Sequence, residues 1–146
     1  MLFCAFFLAF LALLQFCRQL RKRFCFNSRE HISNDPYNSL SSWVSIGDPC
    51  QYYNGVFYKS IGFVERIVLW NTSLAGVLSP ALSSLKYSRI LTLFGNQFLN
   101  NIPQEYASIQ TLWKINFSSN ALSESIQEFI VDLPSIQFLD KFTNSK

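Results

Sequence analysis

Residues 65–87, ERIVLWNTSLAGVLSPALSSLKY, decide the fold, because the following stretches repeat them: SRILTLFGNQFLNNIPQEYASIQ at 88–110 and LWKINFSSNALSESIQEFIVDLP at 112–134. At a step of 24 residues, Ile67, Leu91 and Ile115 share a column, as do Leu69, Leu93 and Phe117. Thr72, Asn96 and Asn120 follow, then Leu74, Phe98 and Leu122, then Leu78, Ile102 and Ile126. Leu82, Tyr106 and Ile130 form a sixth column, and Leu85, Ile109 and Leu133 a seventh. Seven columns in phase over three repeats are a strong signal, where one repeat alone would be weak.

Each column has a physical reason. Two apolar residues spaced by two mark a short strand with both side chains on one face. The Asn column supplies side-chain amides that hydrogen-bond backbone groups of a neighbouring coil, a role Thr72 fills less completely. The later apolar columns close the back of each coil. No coil buries its apolar side alone, so successive coils must stack, and about three are needed for stability. This reading is an α/β solenoid with parallel strands on a concave face. A helical bundle is the rival, drawn from SIQEFIVDLPSIQFL at 125–139, but Pro134 interrupts that run and helical spacing leaves the columns unexplained.

Outward from the repeats the chain changes character. Met1 to Cys17 holds one strongly polar side chain, Gln15, and has the length of a signal-peptide apolar region or a minimal membrane anchor. Its basic cluster, Arg18, Arg21, Lys22 and Arg23, follows the apolar run instead of preceding it, so both readings stand and orientation stays open. Cys4 and Cys17 read as small apolar residues or palmitoylation sites. Asp35-Pro36 ends a polar stretch with a turn signal. The expected division is 1–17 signal peptide or anchor, 18–31 basic and polar linker, 32–63 N-terminal cap, and 64–146 repeats, about three with a partial fourth. In the cap, Leu40 and Trp43 read as core sealing the first repeat.

Composition narrows the function. Of the 146 residues 14% are charged, against about 25% in an average soluble domain. Without the basic cluster, eight basic residues face nine acidic ones, so no electrostatic footprint for nucleic acid is left. His31 is the one histidine and lies outside the repeats, so neither a metal site nor a nucleophilic triad has support. No cofactor is expected, and binding is the expected activity in place of catalysis. Glu124 and Glu128 read as a solvated face.

The positions between and after the apolar strand residues point outward. One such column is Arg66, Ile90 and Lys114; the next is Val68, Thr92 and Asn116; a third is Trp70, Phe94 and Ser118, trailed by Asn71, Gly95 and Ser119. Trp70 and Phe94, one strand apart, read as a pair of exposed aromatics forming a recognition patch, with Arg66 and Lys114 placed to pair a ligand carboxylate. The competing reading has the two aromatics covering strand edges or packing on the cap. The candidate partner-binding residues are therefore Arg66, Val68, Trp70, Thr92, Phe94, Lys114, Asn116 and Ser118. Two glycosylation sequons, Asn71-Thr72-Ser73 and Asn116-Phe117-Ser118, matter if the chain enters the secretory pathway.

DPYNSLSSWVSIGDPC at 35–50 resembles the N-terminal cap of the plant leucine-rich-repeat receptor-like kinases. IVLWNTSLAGVLSPALSSLK and LWKINFSSNALSESIQEFI resemble their first repeats, with the pattern L-x-L-x-x-N-x-L-x-G-x-I-P, and the likeness runs from about Ile32 to Asp140. It implies a short leucine-rich-repeat array with a helical cap and an N-terminal apolar helix. It also implies a protein or peptide ligand or a partner receptor-kinase ectodomain, and a place in the secretory pathway, at the plasma membrane or outside the cell. Residues 1–17 add a membrane contact if retained. A membrane-anchored form without a ligand, or a degenerate receptor fragment, is the alternative. No kinase Gly-rich loop, H-R-D or D-F-G motif occurs, so phosphoryl transfer is not expected of this polypeptide.

The departures from that family are specific. The resemblance implies a cap Cys pair; Cys50 matches its first member, but Tyr58 stands near the second, and Cys25 is the alternative partner. Loss of such a disulfide costs about 2–5 kcal/mol. Gly76 keeps the repeat glycine where Asn100 and Glu124 replace it, and Pro103 keeps the repeat proline where Ser79 and Gln127 replace it. Lys141 occupies an apolar column and is expected to snorkel at a frayed end.

Overall fold

In each repeat, side chains alternate between core and surface along a strand, and then a left-handed residue turns the chain aside. Ile67, Leu91 and Ile115 are buried, while the neighbours Arg66 and Val68 are exposed and half-buried. The turn falls in one column: Asn71, Gly95 and Ser119 have φ of 53°, 69° and 53°. Asn and Gly tolerate that region best, which explains two of the three residues found there.

The computed structural model describes residues 27–43, 53–59, 63–123 and 128–140. Its strands are β1 (Ile32–Asn34), β2 (Val56–Lys59), β3 (Phe63–Val68), β4 (Ala75–Val77), β5 (Ile90–Thr92), β6 (Gln97–Asn100), β7 (Lys114–Asn116), β8 (Ala121–Leu122) and β9 (Phe138–Leu139). Two 3-10 helices, η1 (Pro80–Ser84) and η2 (Gln104–Ser108), and the short helix α1 (Glu128–Val131) form the back of the coils.

The strands make two sheets. The main ribbon has the order β2-β3-β5-β7-β9, and the second sheet the order β1-β4-β6-β8. In the ribbon β3, β5, β7 and β9 are parallel, with Arg66, Ile90, Lys114 and Phe138 in one register row and Ile67, Leu91, Ile115 and Leu139 in the next. The 24-residue columns are therefore rows across the ribbon. Leu69, Leu93 and Phe117 follow directly, and the ladder continues through them: Leu69 N–H donates to Thr92 O and Leu93 N–H to Asn116 O, both at 2.9 Å. All three are buried, Phe117 completely. β9 is the opening strand of a fourth coil.

The core is the shared interior. Leu74, Leu78, Leu82, Phe98, Ile102, Tyr106, Ile109, Leu122, Ile130 and Leu133 join the strand residues in one buried cluster. The Asn column works as expected. Asn96 Nδ2 donates to Leu69 O at 2.7 Å and to Leu93 O at 3.0 Å, while its Oδ1 accepts from Leu74 N–H at 3.0 Å and the Thr72 hydroxyl at 2.8 Å. Asn120 repeats this one coil later, with Leu93 O, Phe117 O and Phe98 N–H. Buried backbone groups that point along the solenoid axis are satisfied this way.

Of the cap, the described residues show helix at 27–29 and, against the first coil, β-strands and turns. β1 pairs antiparallel with β4, and β2 pairs antiparallel with β3. A sheet edge presents a row of backbone donors and acceptors, which a strand satisfies and a helix cannot. Gly76, at φ 141°, lets β1 approach: a Cβ there would collide with His31 O and Ile32 Cα. Asp35 organises the following turn, its carboxylate accepting from Ser39 and Leu40 N–H at 2.8 and 2.9 Å. Leu40 and Trp43 are buried as the sequence implied, and the Trp43 indole donates to Asn54 O at 2.9 Å. Tyr58, which stands where the family's second cysteine was expected, packs half-buried against the core from β2. Residues 1–17, Cys25, Cys50, Glu124 and Lys141 lie outside the described residues, and among those described no helix is long and apolar enough to cross a membrane.

Candidate recognition surface

The outward row of the ribbon is built by register. Phe57 of β2 pairs with Arg66, and the row continues through Ile90 and Lys114 to Phe138. The Arg66 guanidinium lies 4.6 Å from the centre of the Phe57 ring, a cation–π contact that holds the arginine on the face. Arg66 and Lys114 flank Ile90, so they stand two strand spacings apart, roughly 9–10 Å. Phe57 and Phe138 end the row, both about half exposed. The 24-residue comparison does not find Phe57, because β2 runs antiparallel outside the repeat and carries a bulge between Phe57 and Tyr58.

The second outward row, Val68, Thr92 and Asn116, is half-buried throughout. The third differs from the sequence reading. Trp70 is 57% exposed, but Phe94 is half-buried and Ser118 is buried, so a matched pair of exposed aromatics does not form. Ser118 is drawn in by Asn116, whose Oδ1 accepts from Ser118 N–H at 3.1 Å and its hydroxyl at 2.7 Å. Asn116 and Ser118 thus satisfy each other. Arg66, Val68, Trp70, Thr92, Phe94 and Lys114 are left facing outward. The two sequons also differ: Asn71 is exposed on its turn, whereas Asn116 is half-buried with its amide oxygen occupied.

A second concavity lies at the N-terminal ends of the ribbon strands. It encloses about 540 Å³ and is lined by Lys59, Phe63, Glu65, Tyr87, Arg89 and Trp113, among others. Its residues repeat at the same step, Phe63 with Tyr87 and Glu65 with Arg89 and Trp113. None of these residues falls in an apolar column; their signal in the sequence is an aromatic or charged residue recurring at or just before the start of each ribbon strand.

No family model matches the chain. Protein MALE DISCOVERER 2 of Arabidopsis thaliana is 38% identical over 86 residues, which is 58% of this chain and 12% of that protein. The leucine-rich repeat receptor-like protein kinase PXC2 of the same plant is 29% identical over 96 residues, 65% of this chain and 10% of that kinase. The chain therefore spans about an eighth or less of the length of these relatives. Among solved structures, the Arabidopsis receptor kinase HAESA, determined with the peptide hormone IDA and the co-receptor SERK1, superposes at a TM-score of 0.73 with 25% identity. That match covers 83% of this chain and 21% of HAESA. The leucine-rich-repeat ectodomain of SOBIR1 from the same plant gives a TM-score of 0.59 and 29% identity over 73% of this chain and 61% of that one.

Proposed function

We propose that this relative of the plant leucine-rich-repeat receptor-like kinases is a recognition module whose strand ribbon binds a peptide or the ectodomain of a partner receptor. The reading rests on one observation, an exposed Trp70 on the same face as the in-register cations Arg66 and Lys114. A large aromatic that need not be buried for folding, beside fixed cations, is the composition of a binding hot spot. A ligand carboxylate pairs with Arg66 or Lys114, and its apolar part covers Trp70. The solved HAESA complex, which contains a peptide hormone and a co-receptor, supports this choice of partner class. The chemistry required is binding alone, with no catalytic group and no cofactor.

The same reading places the ribbon in the secretory pathway, at the plasma membrane or outside the cell, with residues 1–17 as the export signal or anchor and residues 32–63 as the cap. A reporter fused after Lys146, with a glycosylation assay, tests the compartment. Modified Asn71 supports the proposal. Unmodified, membrane-retained protein favours an anchored form without an extracellular ligand, and rapid degradation favours a degenerate fragment. The site itself is tested with Trp70→Ala against a panel of leucine-rich-repeat receptor ectodomains and peptides. Binding should fall at least tenfold while the melting temperature holds. A melting point well below wild type would make Trp70 a packing residue and remove the site.

A further inference from the structure

The groove at the N-terminal ends of the strands is not used by the ribbon reading. Its Phe63 lies seven positions, roughly 20 Å, along the strand direction from Trp70. We propose that it is a second binding site, one that takes a short acidic peptide segment carrying an aromatic side chain.

Three observations select that ligand. The first is volume: about 540 Å³ falls within the range of small-ligand sites. The second is a paired apolar platform. Phe63 and Tyr87 stand with ring centres 4.4 Å apart and planes tilted by 52°, yet remain 39% and 60% exposed. Neighbouring rings left open to water gain by being covered with another ring. Their tilt leaves no single flat face on which a sugar ring would lie.

The third is the imbalance of charge and donors. Among the lining residues two cations, Lys59 and Arg89, outnumber the one carboxylate, Glu65. Arg89 is held 5.9 Å over the Trp113 ring, and Trp113 is itself braced edge-on by Phe138 at 5.1 Å and 79°. This cation is therefore positioned before any ligand arrives. The Thr111 hydroxyl lies 2.7 Å from Ser88 O and 2.9 Å from Lys86 O and shares its one proton between them, tying the groove floor to the preceding coil. A positioned Arg89 and an exposed Lys59 beside open rings suit carboxylates interleaved with aromatic side chains.

The test uses the full-length chain with Trp70→Phe, which leaves buried Trp43 and groove-lining Trp113 as the reporting indoles. The probes are two blocked pentapeptides, one alternating aspartate with phenylalanine and one alternating asparagine with phenylalanine. The acidic peptide should produce a saturable change in Trp113 emission, at least tenfold tighter than the amide peptide and weakened by added salt. Arg89→Gln and Tyr87→Ala should each weaken it about tenfold without changing the melting temperature. Should Arg89→Gln unfold the chain, Lys59→Gln replaces it, since Lys59 is exposed at the rim. Equal binding of both peptides, no saturable change, or indifference to the groove variants would overturn the site. Loss of binding to Trp70→Ala alone would move the acidic peptide to the ribbon instead.

Discussion

The phenol of Tyr106 donates to the backbone carbonyl of Ser79 across 2.9 Å, fastening the back of one coil to the back of the coil before it. Ser79 stands where the family has a proline, and it does two things there. Its hydroxyl accepts from Ala81 N–H to cap η1, and its carbonyl receives Tyr106. Tyr106→Phe keeps the ring and removes one of two hydrogen bonds to the Ser79 carbonyl, which still accepts from Leu82 N–H at 3.2 Å, so it should cost about 1 kcal/mol in a denaturant titration. Burial, and secondarily the Glu105 charge, holds the Tyr106 phenol well above its usual value of 10.0. A raised acid pKa means that its contribution is complete below about pH 10, the unfolded value, and is lost as pH rises further. Wild type should therefore lose stability more steeply above pH 10 than Tyr106→Phe does. Parallel alkaline curves would show that Tyr106 titrates alike in both states.

Asn96 ties three backbone carbonyls, one backbone amide and the Thr72 hydroxyl into the polar ladder. Asn96→Ala strands the Leu69 carbonyl and the Leu74 amide together and removes one of the two amide donors to Leu93 O, so a loss of about 3 kcal/mol is expected. Thr72→Val removes only the hydroxyl donor to Asn96 Oδ1 and should cost about 1 kcal/mol. Equal losses for the two variants in chemical denaturation would contradict this division of labour.

Gly76 and Gly95 both have positive φ, but their surroundings separate them. A methyl group at Gly76 meets backbone of β1, whereas at Gly95 it meets the movable side chain of Asn71. Gly76→Ala should cost about 3 kcal/mol and release β1, read as faster hydrogen exchange at Val77, whose amide donates to His31 O. Gly95→Ala should cost about 1 kcal/mol and leave Val77 protected.

Ser28 is the weak point under the cap. It is buried, and its hydroxyl has no hydrogen-bond partner among the described residues. Ser28 lines a small apolar cavity of about 30 Å³ together with Trp43, Leu69 and Phe98. Ser28→Ala should raise the melting temperature, by an amount matching up to about 1 kcal/mol. A lower melting temperature would show that the hydroxyl is satisfied in solution.

The repeat period, the inward columns and the Asn ladder were legible in the chain because each depends on a local rule applied three times. Alternation sets which strand residues face in, and a coil that cannot bury its own apolar side must stack on the next. Trp43 and Leu40 were legible as cap core for the same reason, as isolated large apolar residues beside an open first coil. What repetition does not encode was not legible. β2 and β1 are not repeats, and their pairing with β3 and β4 joins residues through antiparallel registers that no column predicts.

The sequence by itself determined which residues point inward and that the coils pile up in register, since a 24-residue spacing admits one parallel stacking that buries every column. Only the tertiary structure decided the surface. Phe57 reached the side of Arg66, Ser118 turned in to Asn116, and Phe63, Tyr87, Arg89 and Trp113 closed into one groove. Exposure and partnership depend on the exact distance between separate coils and on the cap laid over them, quantities that spacing along the chain does not contain.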